Sequence, residues 1–334
     1  MAAKPPPGEF DLIARFFAPL AKSFPGALGL KDDVALLDPP AGRRLVVTMD
    51  AIVAGVHFLP DDPPDTIARK LMRVNLSDLA AKGAEPYACL MAISMPSDVT
   101  ETWLEQFAQG LAADAEEFAM PLIGGDTTAT PGPLTLSLTA FGLVGDGTGT
   151  EPGPMLRSGA KVGDRIFVSG TIGDGYLGLR TARGDHSDLA DRLREYLVDR
   201  YRLPMPRVAL GRRLAFLGHA AMDISDGLVA DLGHICTASG VGAEIQSALL
   251  PMSDAAQIVV ARQPALLSQL LGGGDDYELL FTADPADSSK IAAISADVGV
   301  PITGIGYIVA GQAVSVTDSY AMDLVLQIAG YRHF

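Results

Sequence analysis

The sequence has little of what several large protein classes require. Its two cysteines, Cys89 and Cys236, lie far apart in apolar surroundings, so we expect neither a disulfide framework nor a zinc site. Buried free thiols are typical of a reducing cytosol. No apolar run approaches the roughly 20 residues that span a bilayer. The Pro-rich first seven residues lack the apolar core of a signal peptide. These absences predict a cytoplasmic globular protein that does not bind a membrane.

Positive charge is also scarce. The chain has 25 Lys and Arg residues against 40 Asp and Glu residues, a formal net charge of −15. That balance argues against binding to nucleic acid or to an anionic membrane surface. Most of the acidic side chains are expected to serve solubility. If the ligand is a phosphate, such a protein must bring cations to hold it, and Mg²⁺ is the favoured candidate.

The common signatures of nucleotide and nucleophilic catalysis are missing as well. The sequence contains no G-x-x-x-x-G-K-[ST] loop, no kinase-type H-R-D or D-F-G, and no glycine-flanked serine with a matched histidine. A phosphoryl-transfer enzyme with this sequence would therefore use none of the common nucleotide-binding folds.

Length and pattern predict two domains of α+β or mixed α/β type. The 334 residues are 48% hydrophobic, enough for two cores. Residues 145–154 are rich in Gly, Thr and Pro without periodicity, so we place the linker there and the domains at 1–145 and 146–334. Strands and helices occur in both halves without strict alternation.

Four elements of the first half matter for the site. Helical spacing predicts helices over residues 9–21 and 66–82, the second with Asn75 and Asp78 one turn apart. A strand is predicted over 44–50, ending in Asp50. A shorter one, 121–123, is predicted to end in Gly124-Gly125-Asp126-Thr127-Thr128.

Aspartate recurs beside glycine or another small residue at the predicted ends of strands. Glycine allows backbone to approach a ligand closely, and short carboxylates suit Mg²⁺, which takes oxygen ligands and keeps several waters. A single Gly-Asp turn is common, but the repetition indicates a shared site. The positions are Asp32/Asp33, Asp50, Asp126, Asp174, Asp223/Asp226 and Asp275/Asp276, with Asp78 on a helix.

The segment 223–227 contains two of these carboxylates and a hydroxyl. It is predicted to end a buried strand and to begin a helix over residues 228–238, with Ile224 facing the core and Asp226 as the N-cap. Two readings stay open from this segment alone: an ordinary capped turn, or a site for divalent cations and phosphate.

These motifs together resemble the thiamine-monophosphate kinase family of the aminoimidazole-ribonucleotide-synthetase-like superfamily, over nearly the whole chain. The resemblance is carried by Asp32-Asp33-Val34-Ala35, Gly55-Val56-His57-Phe58, Val74-Asn75-Leu76-Ser77-Asp78, Ile123-Gly124-Gly125-Asp126-Thr127, Val168-Ser169-Gly170-Thr171-Ile172-Gly173-Asp174, Met222-Asp223-Ile224-Ser225-Asp226-Gly227-Leu228 and Gly273-Gly274-Asp275-Asp276-Tyr277-Glu278-Leu279.

The resemblance implies an enzyme that transfers the γ-phosphoryl group of ATP to thiamine monophosphate, using several Mg²⁺ ions, with a monovalent cation as a further candidate. It also implies a homodimer formed through the N-terminal domains, with ATP and magnesium between the two domains of the chain. The implied metal ligands are Asp33, Thr48, Asp50, Asp78, Asp126, Asp223 and Asp226. The implied ATP contacts are Gly124, Gly125, Asp126, Arg157, Ser225 and Trp103. His57, Asp275 and Tyr331 would contact the substrate, and Asp78, Asp126, Asp223 and Arg157 would be catalytic.

Elementary chemistry agrees with a site rich in Asp and poor in His. A phosphate monoester has its second pKa near ~6, so the attacking oxygen needs no general base. What two polyanions need is charge neutralisation and alignment. Arg157 could clamp the transition state or form an interdomain ion pair.

Three of the implied contacts have plain structural alternatives. His57 could cap a strand edge, Trp103 could belong to the core, and Tyr331 could anchor the C-terminus instead of stacking on a ring of the substrate.

The sequence departs from the family pattern at three positions. Lys31 stands where Gly is usual, Ala51 where a hydroxyl residue is common, and Asp275 where Glu is usual. These changes concern the substrate side more than the metal side. Two alternatives therefore remain: a sister ligase or dikinase of the superfamily, and a non-catalytic nucleotide-binding homologue.

Overall fold

The chain forms two compact units. A computed structural model describes residues 9–148, 150–318, 322, 324 and 330–331. The first unit comprises residues 1–79 and 85–151, and the second comprises residues 80–84 and 152–334. The division after residue 151 lies inside the predicted linker, 145–154, and a short piece of the first half belongs to the second unit. No described helix has the length and apolar character needed to cross a membrane.

The first unit is a four-stranded sheet with two long helices. Its elements are α1 (Glu9–Leu12), β1 (Arg43–Val53), α2 (Pro64–Ala81), β2 (Glu85–Met95), α3 (Glu101–Glu117), β3 (Leu122–Ala129) and β4 (Thr135–Gly145). The strand order is β1-β4-β2-β3, in which β3 runs parallel to β2 and the other pairs are antiparallel. β1 and β3 are therefore the two edges.

The predicted helix over 9–21 is helical throughout but irregular. α1 is followed by a π-helical turn (Ile13–Phe17) and a 3₁₀ turn (Ala18–Ala21). Helix α2 begins at Pro64, where the missing N–H of proline costs nothing. Its apolar side chains at helical spacing, Ile67, Leu71, Val74 and Leu79, are all buried.

The two faces of the first sheet differ sharply. One face packs against the helices, and Leu136, Leu138 and Ala140 of β4 are buried there. The other face, called the open face below, includes Val47 and Met49 of β1, which are 58% and 63% exposed. A second 3₁₀ segment (Pro25–Leu30) and the loop after it pack against one end of this face. The rest is uncovered within the described chain.

The second unit is a six-stranded mixed sheet between helices. Its elements are β5 (Arg165–Ser169), α4 (Asp174–Ala182), α5 (Asp191–Arg202), α6 (Val208–Leu214), β6 (Ala220–Asp223), α7 (Leu228–Ser239), β7 (Gly242–Gln246), α8 (Asp254–Arg262), α9 (Leu266–Gly272), β8 (Leu279–Ala283), α10 (Ser288–Val298), β9 (Ile302–Val309) and β10 (Val314–Thr317). The strand order is β10-β7-β9-β5-β8-β6. The mixed sheets of both units confirm the predicted α+β or mixed α/β class.

Successive side chains of the central strands point to opposite faces of the sheet, and two hydrophobic cores result in this unit. Ile166 and Val168 of β5 pack with α7 on one face, whereas Phe167 packs with α6 and α10 on the other. Each fully buried side chain of this size contributes roughly 1.5–3 kcal/mol. The ends of these strands are consequently fixed, and the loops that follow β5 and β6 and precede β8 start from rigid positions.

Candidate active site

The first unit brings three predicted oxygen ligands to the helix-facing side of its sheet. Thr48 and Asp50 are alternate residues of β1 and point towards α2. The Thr48 hydroxyl donates to Oδ2 of Asp78 at 2.5 Å. One turn earlier on the helix, Oδ1 of Asn75 accepts the backbone N–H of Asp50 at 3.1 Å. These bonds hold α2 against β1 where the oxygens gather.

Asp126 lies elsewhere in this unit. It pairs with Ala92 on the open face, whereas Asp50 pairs with Leu138 on the helix-facing side. Its strand, β3, is three strands from β1, a distance of about 14 Å at the usual strand spacing. One copy of the unit therefore does not place Asp126 beside Thr48 and Asp78. The strand predicted over 121–123 is longer than expected, because β3 continues along β2 as far as Ala129.

The remaining candidates of the first unit are dispersed. Asp33 is exposed in the loop before β1, and Gly124 and Gly125 precede Asp126 on β3. Trp103 lies on α3 and stacks on Phe107, with the ring centroids 5.1 Å apart. That contact is the one expected of a core residue. A role for Trp103 at ATP stays a prediction.

His57 closes the end of β1. Its Nδ1 accepts the backbone N–H of Val53 at 3.1 Å, and its carbonyl accepts a hydrogen bond from the buried Lys70 ammonium at 3.0 Å. The Nδ1 contact makes that nitrogen an acceptor in this arrangement. The geometry matches the strand-capping interpretation, and contact with a substrate remains a prediction.

The second unit assembles the segment 223–227 as a strand end and a tight turn. Asp223 is the last residue of β6 and is buried, and Ile224 lies in the core as predicted. The N-cap of α7 is Gly227, not Asp226. Gly227 has φ +122°, and a Cβ there would lie 2.7 Å from the carbonyl carbon of Gly272. Only glycine fits this close approach.

Two predicted substrate residues join this turn through their backbones. The N–H of Asp275 donates to the Ser225 carbonyl at 3.0 Å, and the N–H of Tyr331 donates to the Asp226 carbonyl at 3.0 Å. Asp275 has φ +70°, an uncommon conformation for a residue with a side chain. The second unit thus brings together Asp223, Ser225, Asp226, Asp275 and Tyr331, all of which were predicted from sequence.

A buried carboxylate outside the sequence motifs organises the same turn. Oδ2 of Asp231 accepts the backbone N–H groups of Ser225, Asp226 and Gly227 at 3.0, 3.1 and 3.1 Å. Burial, reinforced by the neighbouring Asp226 charge, raises the pKa of Asp231 to about 7. The available signal was an aspartate on the buried side of an otherwise apolar helix.

A second buried carboxylate holds the neighbouring glycine-rich loop. Asp276 accepts the N–H groups of Gly173 and Gly175 at 2.8 and 3.0 Å, and burial raises its pKa to about 8. Two residues later, Glu278 is paired with two arginines. Asp174 begins α4 and is buried, and its carboxylate accepts hydrogen bonds from the hydroxyls of Thr171 and Tyr196, which is a structural role.

Arg157 is anchored at the other end of α7. Its carbonyl accepts a hydrogen bond from the hydroxyl of Ser239, the last residue of that helix. A helix of 12 residues is about 18 Å long. The turn 223–227 lies at the opposite end, and the Arg157 side chain is exposed. Its role as a transition-state clamp stays a prediction.

The candidate metal ligands are all oxygen atoms, which are hard ligands. Across the described residues, no group of three or more His, Cys, Asp or Glu side chains is arranged to hold a metal ion. In the first unit, Thr48, Asp50 and Asp78 lie where α2 is bonded to β1, and in the second, Asp223 and Asp226 lie three residues apart in one turn. Carboxylate and hydroxyl oxygens without His or Cys fit Mg²⁺ bound through a few ligands with retained waters.

Both halves of the chain match one family of known proteins. Residues 31–144 match AIR synthase related protein, N-terminal domain, and residues 161–319 match the corresponding C-terminal domain.

Individual relatives extend the likeness over nearly the full length. The thiamine-monophosphate kinase of Caulobacter vibrioides is 46% identical, covering 94% of this chain and 87% of the relative. The crystal structure of thiamine-monophosphate kinase from Stenotrophomonas maltophilia superposes with a TM-score of 0.82 at 42% identity, covering 92% of this chain and 96% of the other. A structure described as AaThiL complexed with AMPPCP and TMP gives a TM-score of 0.76 at 28% identity, covering 98% and 97%.

Proposed function

Since the chain belongs to the thiamine-monophosphate kinase family of AIR synthase related proteins, we propose that it phosphorylates thiamine monophosphate with ATP to give thiamine diphosphate. The observation that carries the proposal is the relationship itself, which extends over both units. It is supported by the solved relative that holds the ATP analogue AMPPCP together with TMP. The turn 223–227, with Asp275 and Tyr331 bonded to it, gives the chain a place where such ligands could be held.

We propose that Asp33, Thr48, Asp50, Asp78 and Asp126 of the first unit and Asp223 and Asp226 of the second hold magnesium. Magnesium, when bound, neutralises the phosphates and draws charge from the transferring group. Thr48 keeps the Asp78 carboxylate oriented through its 2.5 Å hydrogen bond. We also propose that Gly124, Gly125, Arg157, Ser225 and Trp103 contact ATP.

The reaction makes no demand for a general base from the chain. The attacking atom is a phosphate oxygen, which is largely ionised at neutral pH. The work left to the protein is to bring two polyanions together and hold them in line. His57, Asp275 and Tyr331 are the residues proposed to position the thiamine phosphate.

The first unit also supports a homodimer. The open face has Val47 and Met49 more than half exposed, and β1 and β3 leave both sheet edges unpaired within the described chain. Large exposed apolar faces and long open edges are usually covered by a partner. We propose that a second copy covers this face. Because Asp126 lies on the same face, dissociation should also reduce activity.

Sedimentation analysis tests the dimer. Changing Val47 and Met49 together to Asp should produce monomers with reduced turnover, whereas Val162→Asp, at a site 61% exposed in the second unit, should leave the dimer intact. A wild-type protein that sediments as a monomer at micromolar concentration contradicts the proposal.

A direct assay tests the activity. Purified protein with ATP, Mg²⁺ and thiamine monophosphate should yield thiamine diphosphate, and omission of Mg²⁺ should abolish it. Asp223→Asn should lower kcat about 100-fold or more, since several kcal/mol of charge stabilisation are removed and each ~1.4 kcal/mol is worth tenfold. Asp226→Asn is a second variant at a less buried position. Binding of ATP without turnover would instead show a nucleotide-binding homologue.

We further propose a cytoplasmic location. Cys89 and Cys236 are both buried free thiols, which suits a reducing compartment.

A further inference from the structure

In the turn before α7, both the N–H groups and the carbonyl groups of the backbone are hydrogen-bonded. On one side, the N–H groups of Ser225, Asp226 and Gly227 converge on Oδ2 of Asp231 within 3.1 Å. On the other side, the carbonyls of Ser225 and Asp226 accept the N–H groups of Asp275 and Tyr331. The conformation of the turn is therefore set by its main chain, and the side chains are the groups left to face a ligand.

The burial of Asp231 is energetically costly. Asp231 is fully buried on α7, and its second oxygen, Oδ1, has no hydrogen-bond partner among the described residues. A buried carboxylate oxygen without a partner is costly. An aspartate kept there at that cost indicates that Oδ2 is needed as a hydrogen-bond acceptor, which an apolar side chain cannot be.

The position of Asp231 changes what the turn can bind. Free N–H groups at the start of a helix attract anions. Here, three such groups are already used by a carboxylate of the same chain, so they are not offered to a phosphate. The side-chain oxygens of Ser225 and Asp226 on the same turn are groups that attract a cation instead.

We propose that Asp231 is a positioning residue that holds the turn so that Ser225 and Asp226 present their oxygens to a metal-bound nucleotide. The proposal rests on the proposed kinase function for the identity of the ligand. In this proposal Asp231 contacts neither the metal nor the nucleotide. It acts through the backbone of the turn.

Two substitutions at position 231 distinguish the effect of the hydrogen-bond acceptor from the effect of side-chain size. Asp231→Leu keeps the approximate shape and removes the acceptor. Asp231→Asn keeps one oxygen that can accept the same three N–H groups. A matched control is Asp164, which is also buried in the second unit and accepts the N–H of Lys161 at 2.9 Å. It pairs with His219 at the opposite end of β6 from Asp223, so Asp164→Leu reports the general cost of removing a buried carboxylate.

The first measurement is hydrogen exchange of a peptide covering residues 223–229, followed by mass spectrometry on the full-length protein. Asp231→Leu should speed exchange in that peptide at least about tenfold, whereas Asp231→Asn should stay near the wild-type rate. Asp164→Leu should not affect this peptide. Unchanged exchange in Asp231→Leu would refute the proposed restraint.

The second measurement is the affinity for Mn²⁺ alone, by calorimetry, with the Mg²⁺ dependence of kcat beside it. Loss of a residue that orients metal ligands typically costs 10–100-fold, so Asp231→Leu should weaken Mn²⁺ binding by about that factor and Asp231→Asn should recover most of it. An equal loss in Asp164→Leu, or no recovery with Asn, overturns the assignment.

The two proposals fail separately. If the wild-type protein binds Mn²⁺ through Asp223 and Asp226 but makes no thiamine diphosphate, the kinase function fails while the role of Asp231 stands on exchange and metal affinity. If the wild-type protein is an active kinase and Asp231→Leu keeps wild-type exchange and Mn²⁺ affinity, the role of Asp231 fails alone.

Discussion

Replacing Glu278 by glutamine should destabilise the second unit strongly. Glu278 is buried, and its carboxylate accepts hydrogen bonds from Arg200 at 3.0 Å, from Arg207 at 2.5 and 2.7 Å, and from Ser169 at 2.6 Å. Arg200 is itself buried. Glutamine is nearly isosteric but neutral, and its amide N–H₂ would face the guanidinium donors. The substitution therefore removes the main counter-charge of the buried Arg200.

The size of the effect follows from the burial of the pair. Breaking a buried ion pair by removing one partner costs about 3–5 kcal/mol. For a unit of about 150–250 residues, each kcal/mol lowers Tm by roughly 2–4 °C. The expected loss is therefore ~6–20 °C. An exposed pair in the same unit, Arg213 with Asp297 at 3.1 Å, has its side chains 50% and 62% exposed. Such pairs contribute below about 1 kcal/mol.

The assay is differential scanning calorimetry of wild type, Glu278→Gln and Asp297→Asn at pH 7 without ligands. Circular dichroism at low temperature establishes that each variant is folded. Glu278→Gln should lower Tm several-fold more than Asp297→Asn. Equal small shifts in the two variants would refute the argument that burial makes this carboxylate essential to the second unit.

Three further predictions follow from individual contacts. Thr48→Val should raise the Mg²⁺ concentration for half-maximal activity about tenfold, because Asp78 loses the hydroxyl that orients it; Thr48→Ser should restore the wild-type value, and equal activation curves for Val and Ser would contradict this. The pKa of Asp231 is raised from 3.8 to about 7 in the folded chain, so the unfolded chain releases this proton first and the free energy of unfolding should fall as pH rises from 4 to 7, by up to ~1.4 kcal/mol per unit. Metal-free denaturation of Asp231→Asn should lack this slope, and identical slopes would disprove it. Burial raises the pKa of Cys89 to about 12, and burial also raises the pKa of Cys236 above its ordinary value. Neither thiol should therefore react with a disulfide reagent at pH 7 until denaturant is added; rapid labelling of native protein would show that they are accessible.

Local pattern was a reliable guide where a single element decides the structure. The helix predicted over 66–82 is α2, because its apolar side chains recur at the helical period and are buried in the unit's core. The strand predicted to end at Asp50 runs on to Val53. The buried Ile224 and the helix after it were also predicted, since a strand end, a turn and an apolar helix are encoded within about 15 residues.

Pattern failed where a partner distant in the chain decides the structure. Gly124-Gly125-Asp126 is typical of a loop, yet it forms strand because β2 supplies backbone partners. Asp226 is a good N-cap by residue type, but Asp231 takes the N–H groups of the turn and Gly227 becomes the cap. A single sequence gives no indication of such pairings.

In the candidate site, too, the sequence predicted the residues within motifs but not the contacts between distant segments. The residues of the second unit that sequence selected, Asp223, Ser225, Asp226, Asp275 and Tyr331, do lie together. The buried Asp231, which holds the turn, was not selected, because its importance lies in contacts and not in a motif. In the first unit, the face on which Asp126 lies depends on strand pairing, which composition and spacing do not reveal.

The main-chain definition of the turn 223–227 has a consequence for how such a site can change over time. Because the conformation depends on backbone groups and on Asp231, the side chains at 225 and 226 are free to vary without altering the frame that carries them. A descendant with His or Asn at position 226 would keep the same turn and present a softer or neutral donor, which shifts the preferred metal. Ligand chemistry in this protein can therefore evolve by single substitutions while the architecture beneath it stays constant.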